Sequence, residues 1–326
     1  VLILVLVADK GLKNYIPINF GVKNLLNWYM KTVDILLPTY NGGRFLHEQI
    51  TSILNQSYSS INLLIRDDGS TDNTIQIINS FSELDKRIIF YKDDTGNLGV
   101  VANIEYLLGK SKADYIMYCD QDDFWLPFKV EKLINEILSY ERKFGVEFPL
   151  LIHSDAYVTD QNLKIKRKLK GSSPLNYGLN NSLFRFYVQG ASTIFNSSLK
   201  KEILPFVSGI YMHDRYTHLV AEIVGKRFYL NEPFMLYRQH SENLLGSKNV
   251  VAKIKSNVSH KHMFYLEKDK ILIQSLAKRY PDEKLLETYL VITNPKYLNK
   301  YEKINLILRN KISLRIKEWF WFVVNF

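Results

Sequence analysis

The sequence is poor in features that define several large protein classes. One residue of 326 is cysteine, Cys119, so an internal disulfide framework is impossible and a reducing compartment fits. Cys119 ends an apolar run and reads as a small buried strand residue rather than a catalytic thiol. No stretch reaches the ~18 to 20 apolar residues needed to span a bilayer. The apolar run at residues 1–8 has no cation before it and makes a weak signal peptide. Position 1 is not methionine, and Met30-Lys31-Thr32 directly precedes the first convincing strand. Residues 1–30 are therefore expected to be an N-terminal extension or fragment boundary. A Gly-rich P-loop is missing, and Gly96-Asn97-Leu98-Gly99 does not supply a dinucleotide fingerprint, which argues against hydride transfer. Repeats and low-complexity tracts are absent too.

What remains is an ordinary globular composition, 46% apolar and 23% charged, in a chain long enough for one large core with a smaller appended region. The net charge of +10 is uneven. Residues 247–326 hold 16 Lys and Arg against 7 Asp and Glu, while residues 1–246 hold 27 against 26. Such a basic tail suits an anionic surface. Its aromatic ending, Trp319-Phe320-Trp321-Phe322, favours a lipid interface over nucleic acid. Plain helical packing against the rest of the chain is the competing expectation.

From residue 33 onward, short apolar runs alternate with amphipathic ones. Residues 33–37 read as a buried strand ended by Pro38 and the turn Asn41-Gly42-Gly43. Phe45, Leu46, Ile50, Ile53 and Leu54 then share one helical face. Further strands are expected at 61–65, 88–91, 115–119 and 150–153. The helices between them begin near Ser70-Thr71-Asp72, with Ile75, Ile77 and Ile78 inward, then after Asn97-Leu98-Gly99, and over 128–140. This order implies a largely parallel sheet with helices on both faces. Residues 164–170, with five Lys or Arg in seven, read as a basic loop. Short strands at 192–195 and 227–230 flank a helix over 215–224, and the chain from about 250 reads as helical with breaks at Pro281 and Pro295.

Two of these strands end in acid clusters, Asp67-Asp68 and Asp120-Gln121-Asp122-Asp123. Crowded carboxylates at a strand end repel one another unless a hard divalent cation sits among them. Ligands of open α/β sheets bind beyond the carboxyl ends of strands. The two clusters thus point to one polar site for a metal and a hydroxyl-rich or phosphate-bearing molecule. For Asp67-Asp68, a turn followed by a helix cap is the competing explanation.

Pro38-Thr39-Tyr40-Asn41-Gly42, the run from Asp67-Asp68-Gly69-Ser70 to Thr74, Asn97-Leu98-Gly99 and Asp120-Gln121-Asp122-Asp123-Phe124-Trp125-Leu126-Pro127 resemble the successive motifs of family 2 glycosyltransferases. Met212-His213-Asp214-Arg215-Tyr216 and Tyr237-Arg238-Gln239-His240 resemble its bacterial rhamnosyltransferase-like branch, which builds surface polysaccharides. The resemblance implies a GT-A fold over residues 31–246, with a nucleotide-sugar half near 31–130, an acceptor half near 150–246, and a basic helical region at 247–326.

By the same resemblance, Pro38, Thr39, Tyr40, Asp68, Asn97, Asp120 and Arg238 bind the donor, with Asp68 accepting the ring N–H of the base and Arg238 adding a cation to the leaving group. Asp122 is the metal ligand of a DXD-type motif and His240 a second one, for Mg²⁺ or Mn²⁺. Asp123 supports them from behind, and Trp125 and Pro127 brace the loop by packing. Asp214 is the base that deprotonates the acceptor, with a helix N-cap as its alternative role. His213, Gln189 and Gly190 contact the acceptor, although a tight turn explains Gly190 equally well. His47, His153, His218, His260 and His262 show no ligand spacing.

The activity implied is inverting, metal-dependent transfer of a sugar, with dTDP-rhamnose as the best donor. The acceptor implied is a lipid-linked glycan of O-antigen or capsule synthesis. The location implied is cytoplasmic, peripheral on the inner face of the cell membrane. Hexosyl or N-acetylhexosaminyl transfer from a UDP-sugar is the alternative, as is a non-catalytic nucleotide-sugar-binding subunit. A processive synthase is disfavoured by the missing Gln-x-x-Arg-Trp signature and membrane helices.

Overall fold

The computed structural model describes residues 31–170, 177–186, 188–241, 258–294 and 298–312. Expectations for residues 1–30, for a boundary at 246, for Pro295 and for the terminal aromatics fall outside the described residues. Among those described, no helix is long and apolar enough to cross a membrane.

Nine strands form one sheet: β1 (Val33–Thr39), β2 (Ile61–Asp67), β3 (Ile88–Tyr91), β4 (Tyr115–Tyr118), β5 (Phe124–Trp125), β6 (Leu150–Thr159), β7 (Ile165–Lys168), β8 (Thr193–Asn196) and β9 (Lys226–Arg238). Their order is β3-β2-β1-β4-β8-β6-β9-β5, with β7 on β6. The first four run parallel, the arrangement expected of strands joined by helical crossovers. Beyond them the sheet is mixed: β4–β8, β8–β6, β6–β7 and β9–β5 are antiparallel, and only β6–β9 is parallel. The expectation of a parallel sheet therefore holds for the first half alone.

Alternation of side chains across β1 splits the core into two layers. Ile35 and Leu37 face one side with Leu63, Ile65 and Met117, covered by α1 (Leu46–Leu54), α2 (Thr74–Leu84) and α4 (Lys129–Phe144). Leu36, Leu64 and Ile116 face the other, under α3 (Gly99–Lys110). The same layer receives α6 (Ser197–Ile203) and α7 (His213–Val224) through Leu199, Tyr216 and Val220; the short α5 (Leu179–Ser182) adds Leu179. It also takes in the C-terminal helices α8 (Val258–Arg279) and α9 (Lys284–Ile292), through Leu272, Ile273, Leu276, Leu286 and Tyr289, all without exposure. Full burial of such a side chain stabilises by roughly 1.5–3 kcal/mol. These two helices are thus part of the core, as the packing expectation had it. α10 (Lys300–Arg309) follows, started by an Asn299–Glu302 capping box.

Four local expectations change. β1 runs through Pro38 to Thr39 because pairing with β4 has already ended at Leu36, so the missing N–H of Pro38 deprives no partner. Ile75 is exposed, since the inward stripe of α2 is Thr74 and Ile78, four residues apart. The basic segment at 164–170 contains strand β7, paired to β6 across a bulge. β9 is 13 residues long rather than a short strand, because β6 offers it a ten-residue partner.

Candidate active site

Thr39 and Asp67 sit in register at the ends of β1 and β2, and Leu36 is level with Tyr118 of β4. The chain therefore leaves these strands at one edge of the sheet, carrying both acid clusters with it.

The two clusters are built differently. Asp67 accepts the Thr39 hydroxyl (2.8 Å), the Ser70 hydroxyl (2.6 Å) and the N–H groups of Ser70 (2.7 Å) and Gly69 (3.1 Å). Asp68, 3% exposed, accepts from Arg66 Nη1 (2.7 Å) and the N–H of Leu98 (2.8 Å) at Oδ1, and from the N–H of Gly99 (2.8 Å) at Oδ2. Gly99 makes that bond at φ +77°, a conformation glycine adopts without Cβ strain. Of a carboxylate's roughly four acceptor positions, Asp68 has three filled by the protein, leaving about one for a base.

The second cluster is bracketed by β4 and β5, and β5 hangs on β9 through Phe124–Leu236 and Trp125–Met235. That pairing carries the end of β9 back under the acid loop. Arg238 donates from Nε to the carbonyl of Asp122 (2.8 Å), from Nη1 to the carbonyl of Gln161 (2.7 Å), and from Nη2 to Glu48. Two residues later, His240 Nε2 meets Asp122 Oδ2 at 2.8 Å, its ring against Phe45. Arg238 is 2% exposed and braces the loop, so its described bonds do not present it to a leaving group.

Asp120 and Asp123 gain little relief from this scaffold. Burial, reinforced by the charges of Asp122 and Asp214, pushes Asp120 up to about 7. Asp123 is fully buried and driven well above the carboxylate range by burial and by the charges of Asp122 and Asp120. Its Oδ1 accepts the N–H of Arg238, while its Oδ2 is buried without a hydrogen-bond partner. Close behind lies Lys129, also fully buried, its ammonium over the Trp125 ring (3.3 Å) and bonded to the carbonyl of Ala191 (2.5 Å). Burial lowers it to about 7 against the pull of Cys119, Asp123 and Asp120.

A divalent cation suits this chemistry. One carboxylate and one imidazole converge, carboxylates crowd around them, and a buried oxygen lacks a partner. No group of three or more His, Cys, Asp or Glu forms a ready-made cage among the described residues. That is the usual way Mg²⁺-type ions are held, by one or two protein groups and substrate phosphates.

Asp214 arrives from the other side. α7 begins at His213, with Met212 in the cap position, so Asp214 lies in the first helical turn rather than at the cap. Its Oδ2 accepts the N–H of Gly190 (3.1 Å) and its Oδ1 that of Arg215 (2.8 Å). Burial raises its affinity for a proton, partly offset by His213 and these N–H groups. A Cβ on residue 190 would lie 3.0 Å from His213 Nε2 and 3.1 Å from Asp214 Cβ. Gly190 thus lets the α7 terminus approach, a use neither expectation named. The His213 ring packs edge-on against Tyr118 (4.7 Å), two residues before Asp120. Gln189 is half-buried with its Oε1 lacking a partner.

Of the remaining residues, Tyr40 is half-exposed and clamped by the Gln121 amide, which donates to its carbonyl and accepts from its N–H. Thr39 is buried, its hydroxyl spent on Asp67. Pro38 is half-buried and Asn97 exposed. Trp125 is buried as expected, but Pro127 is exposed and contributes only its carbonyl, to Ser57. Cys119 is buried against Gln49. His153 and His218 belong to a buried cluster around Arg227 and Glu222. Sequence reasoning missed Lys129, Glu48 and Gln121. The available signal was a lysine at the start of an otherwise apolar helix face.

A parallel-then-mixed sheet with acids beyond its strand ends and a carboxylate in the first turn of α7 fits the GT-A glycosyltransferase fold. The chain belongs to glycosyl transferase family 2, whose model matches residues 34–201. An uncharacterized glycosyltransferase of Haemophilus influenzae is 42% identical over 109 residues, covering 33% of this chain and 43% of that protein. The chain thus spans less than half of this relative's length. The dTDP-rhamnosyl transferase RfbG of Shigella flexneri is 27% identical over 235 residues, covering 67% of this chain and 76% of RfbG. S. aureus TarS 1-349, crystallised in complex with UDP-GlcNAc, superimposes with a TM-score of 0.55 at 12% identity, covering 90% of this chain and 78% of that one.

Proposed function

We propose that the chain is an inverting, metal-dependent glycosyltransferase moving L-rhamnose from dTDP-rhamnose to a glycan acceptor of surface polysaccharide synthesis, O-antigen or capsule. The observation that carries this is the meeting of Asp122 and His240 across 118 residues of sequence, with Asp214 in the first turn of α7 near enough for its charge to act on Asp120. RfbG, a dTDP-rhamnosyl transferase, supports the choice of sugar, since the similarity covers 76% of its length.

In this reading Tyr40 and Asp68 receive the base, Asp68 with its remaining acceptor position. Asp122 and His240 hold Mg²⁺ or Mn²⁺, which when bound would neutralise charge on the departing diphosphate. Asp214 removes the proton from the acceptor hydroxyl as it attacks. The Gly190 N–H fixes one carboxylate oxygen and the Arg215 N–H the other, so the base is oriented before the acceptor arrives. Gln189 offers an unpartnered oxygen to an acceptor hydroxyl.

The acceptor is lipid-linked and the enzyme works on the cytoplasmic face of the membrane, a placement supported by the basic balance of residues 247–326. Thermal shift of the purified chain with Mn²⁺ and a panel of nucleotide sugars tests the reading, followed by transfer assays with the stabilising donors. The largest shift is expected from dTDP-rhamnose. A larger one from UDP-GlcNAc replaces the sugar assignment, and no shift with any donor overturns the function.

A further inference from the structure

The cations around the site fall into two groups. Arg66, Arg215, Arg227 and Arg238 are buried, and each faces carboxylates: Asp93 and Asp68, Asp269, Glu222, and Glu48. Lys164, Lys166, Arg167 and Lys168 are all exposed, and among the described residues none of them has a carboxylate in ion-pair reach. Of the acids in their own hairpin, Asp160 feels the charges of Lys166 and Lys164, and both it and Asp155 also bond the main chain. Asp160 Oδ1 accepts the N–H groups of Asn162 and Lys164, and Asp155 Oδ1 those of Ala156 and Lys170.

Four cations against one nearby carboxylate leave an excess of positive charge beside the active site, with Arg167 also bonded to the carbonyls of Lys168 and Leu169. Thr159 of β6 pairs with Ile165 of β7 on one side and Arg238 of β9 on the other. With strands about 4.8 Å apart, β7 starts roughly 10 Å from the Arg238 backbone. Gln161 in the hairpin turn ties the two together, its carbonyl accepting from Arg238 (2.7 Å) and its Oε1 from Arg44 (3.0 Å). β7 lies on the same side of β6 as β8, the strand that leads back to Gly190 and its bond to Asp214. The bulge leaves Lys166 unpaired in register, as bulges near active sites do when they re-aim a side chain. At about 3.3 Å per residue, the cations from 164 to 168 extend over roughly 13 Å, longer than one phosphate. Lysines on an edge strand also deter edge pairing, but that purpose does not require four cations joined to the metal loop.

We propose that this hairpin is a docking rail for an acceptor carrying two or more phosphates in line, held so that its sugar end reaches Asp214. The inference rests on the glycosyl-transfer reading and adds the chemical class of the acceptor. The rail keeps this anion apart from the donor diphosphate, which belongs to Asp122 and His240.

Calorimetry on the full chain with metal-free sodium tripolyphosphate at low salt is the test, comparing the native protein with a K164Q/K166Q/R167Q/K168Q variant whose melting temperature is checked first. The variant is expected to bind tripolyphosphate at least about tenfold more weakly, as removal of a focused charge cluster implies. Its affinity for nucleoside diphosphate with Mn²⁺ should match the native value. Equal tripolyphosphate binding by both proteins, or none by the native one, overturns the rail. So does a loss confined to phosphatidylglycerol vesicles, which would make the hairpin a bilayer contact. Failure of both proteins to bind any nucleoside diphosphate with Mn²⁺ overturns glycosyl transfer instead.

Discussion

Asp67-Asp68 and Asp120-Gln121-Asp122-Asp123 look alike in sequence, acids that close an apolar strand, yet the protein treats them in opposite ways. The first pair is well supplied with donors: four on Asp67 and three on Asp68, one of them the buried Arg66. The second cluster is left crowded, with Asp120 pushed up to about 7, a buried oxygen on Asp123 unpartnered, and a lysine beneath that burial also holds near 7. Buried polar groups are normally satisfied, and exceptions mark function. An acid pair rich in donors shapes a loop, whereas a crowded, partly unpartnered one suits the divalent cation proposed for it.

The contrast can be broken in several ways. The largest effect belongs to Asp214→Asn, which removes the proposed base but leaves both clusters intact. Transfer should fall by about 10²- to 10⁴-fold, the usual worth of general base catalysis, with nucleotide affinity nearly unchanged by calorimetry. Retained turnover would remove Asp214 from the chemistry. Next comes Asp68→Ala, which takes one of two carboxylates from the buried Arg66, leaving Asp93, and strips the Leu98 and Gly99 N–H groups of their acceptor. Loss of a hydrogen bond to a charged group costs about 1.5–3 kcal/mol, so denaturant unfolding should show the loss directly. An Asp68→Ala protein of native stability would erase the distinction between the clusters.

Gly190→Ala is expected to act on turnover more than on folding. The added Cβ presses on His213 and Asp214, and a displaced base of this kind costs between about 10- and 100-fold in kcat. The smallest effect is in pH. As the proposed base, Asp214 would work only when ionised, and burial raises its proton affinity. Activity should therefore fall as pH drops through that raised pKa, beginning at a higher pH than an ordinary aspartate allows. A kcat/KM profile flat down to the usual carboxylate range would contradict this.

The first four strands and their helices were readable because β1, β2 and β4 are buried on both faces and each strand is joined to the next by a local crossover. Residues 33–37, 61–65, 88–91 and 115–119 all fall within strands or extend them by a residue or two. Past residue 150 the signals fail. The length of β9 is decided by β6, some 75 residues away in register, and β7 overrides the weak strand preference of lysine by pairing with that same partner. Resemblance to the family's motifs singled out Asp122, His240 and Asp214, a glycine before a predicted strand singled out Gly190, and the fold brings them together in two pairs. It could not show that Arg238 faces inward to Glu48 and the loop carbonyls, or that Lys129 ties the acid cluster to the Ala191 turn. Those contacts depend on tertiary packing that leaves no local pattern.

The central claim is that the frustrated cluster grips a divalent ion together with a diphosphate. Titrating the native chain and an Asp122→Ala variant with nucleoside diphosphates by calorimetry, in Mn²⁺ and again in excess chelator, tests it most directly. Tight binding only by the native chain, and only with Mn²⁺, is the result expected. Equal binding in all four arms would show that neither the side chain nor the ion holds the donor.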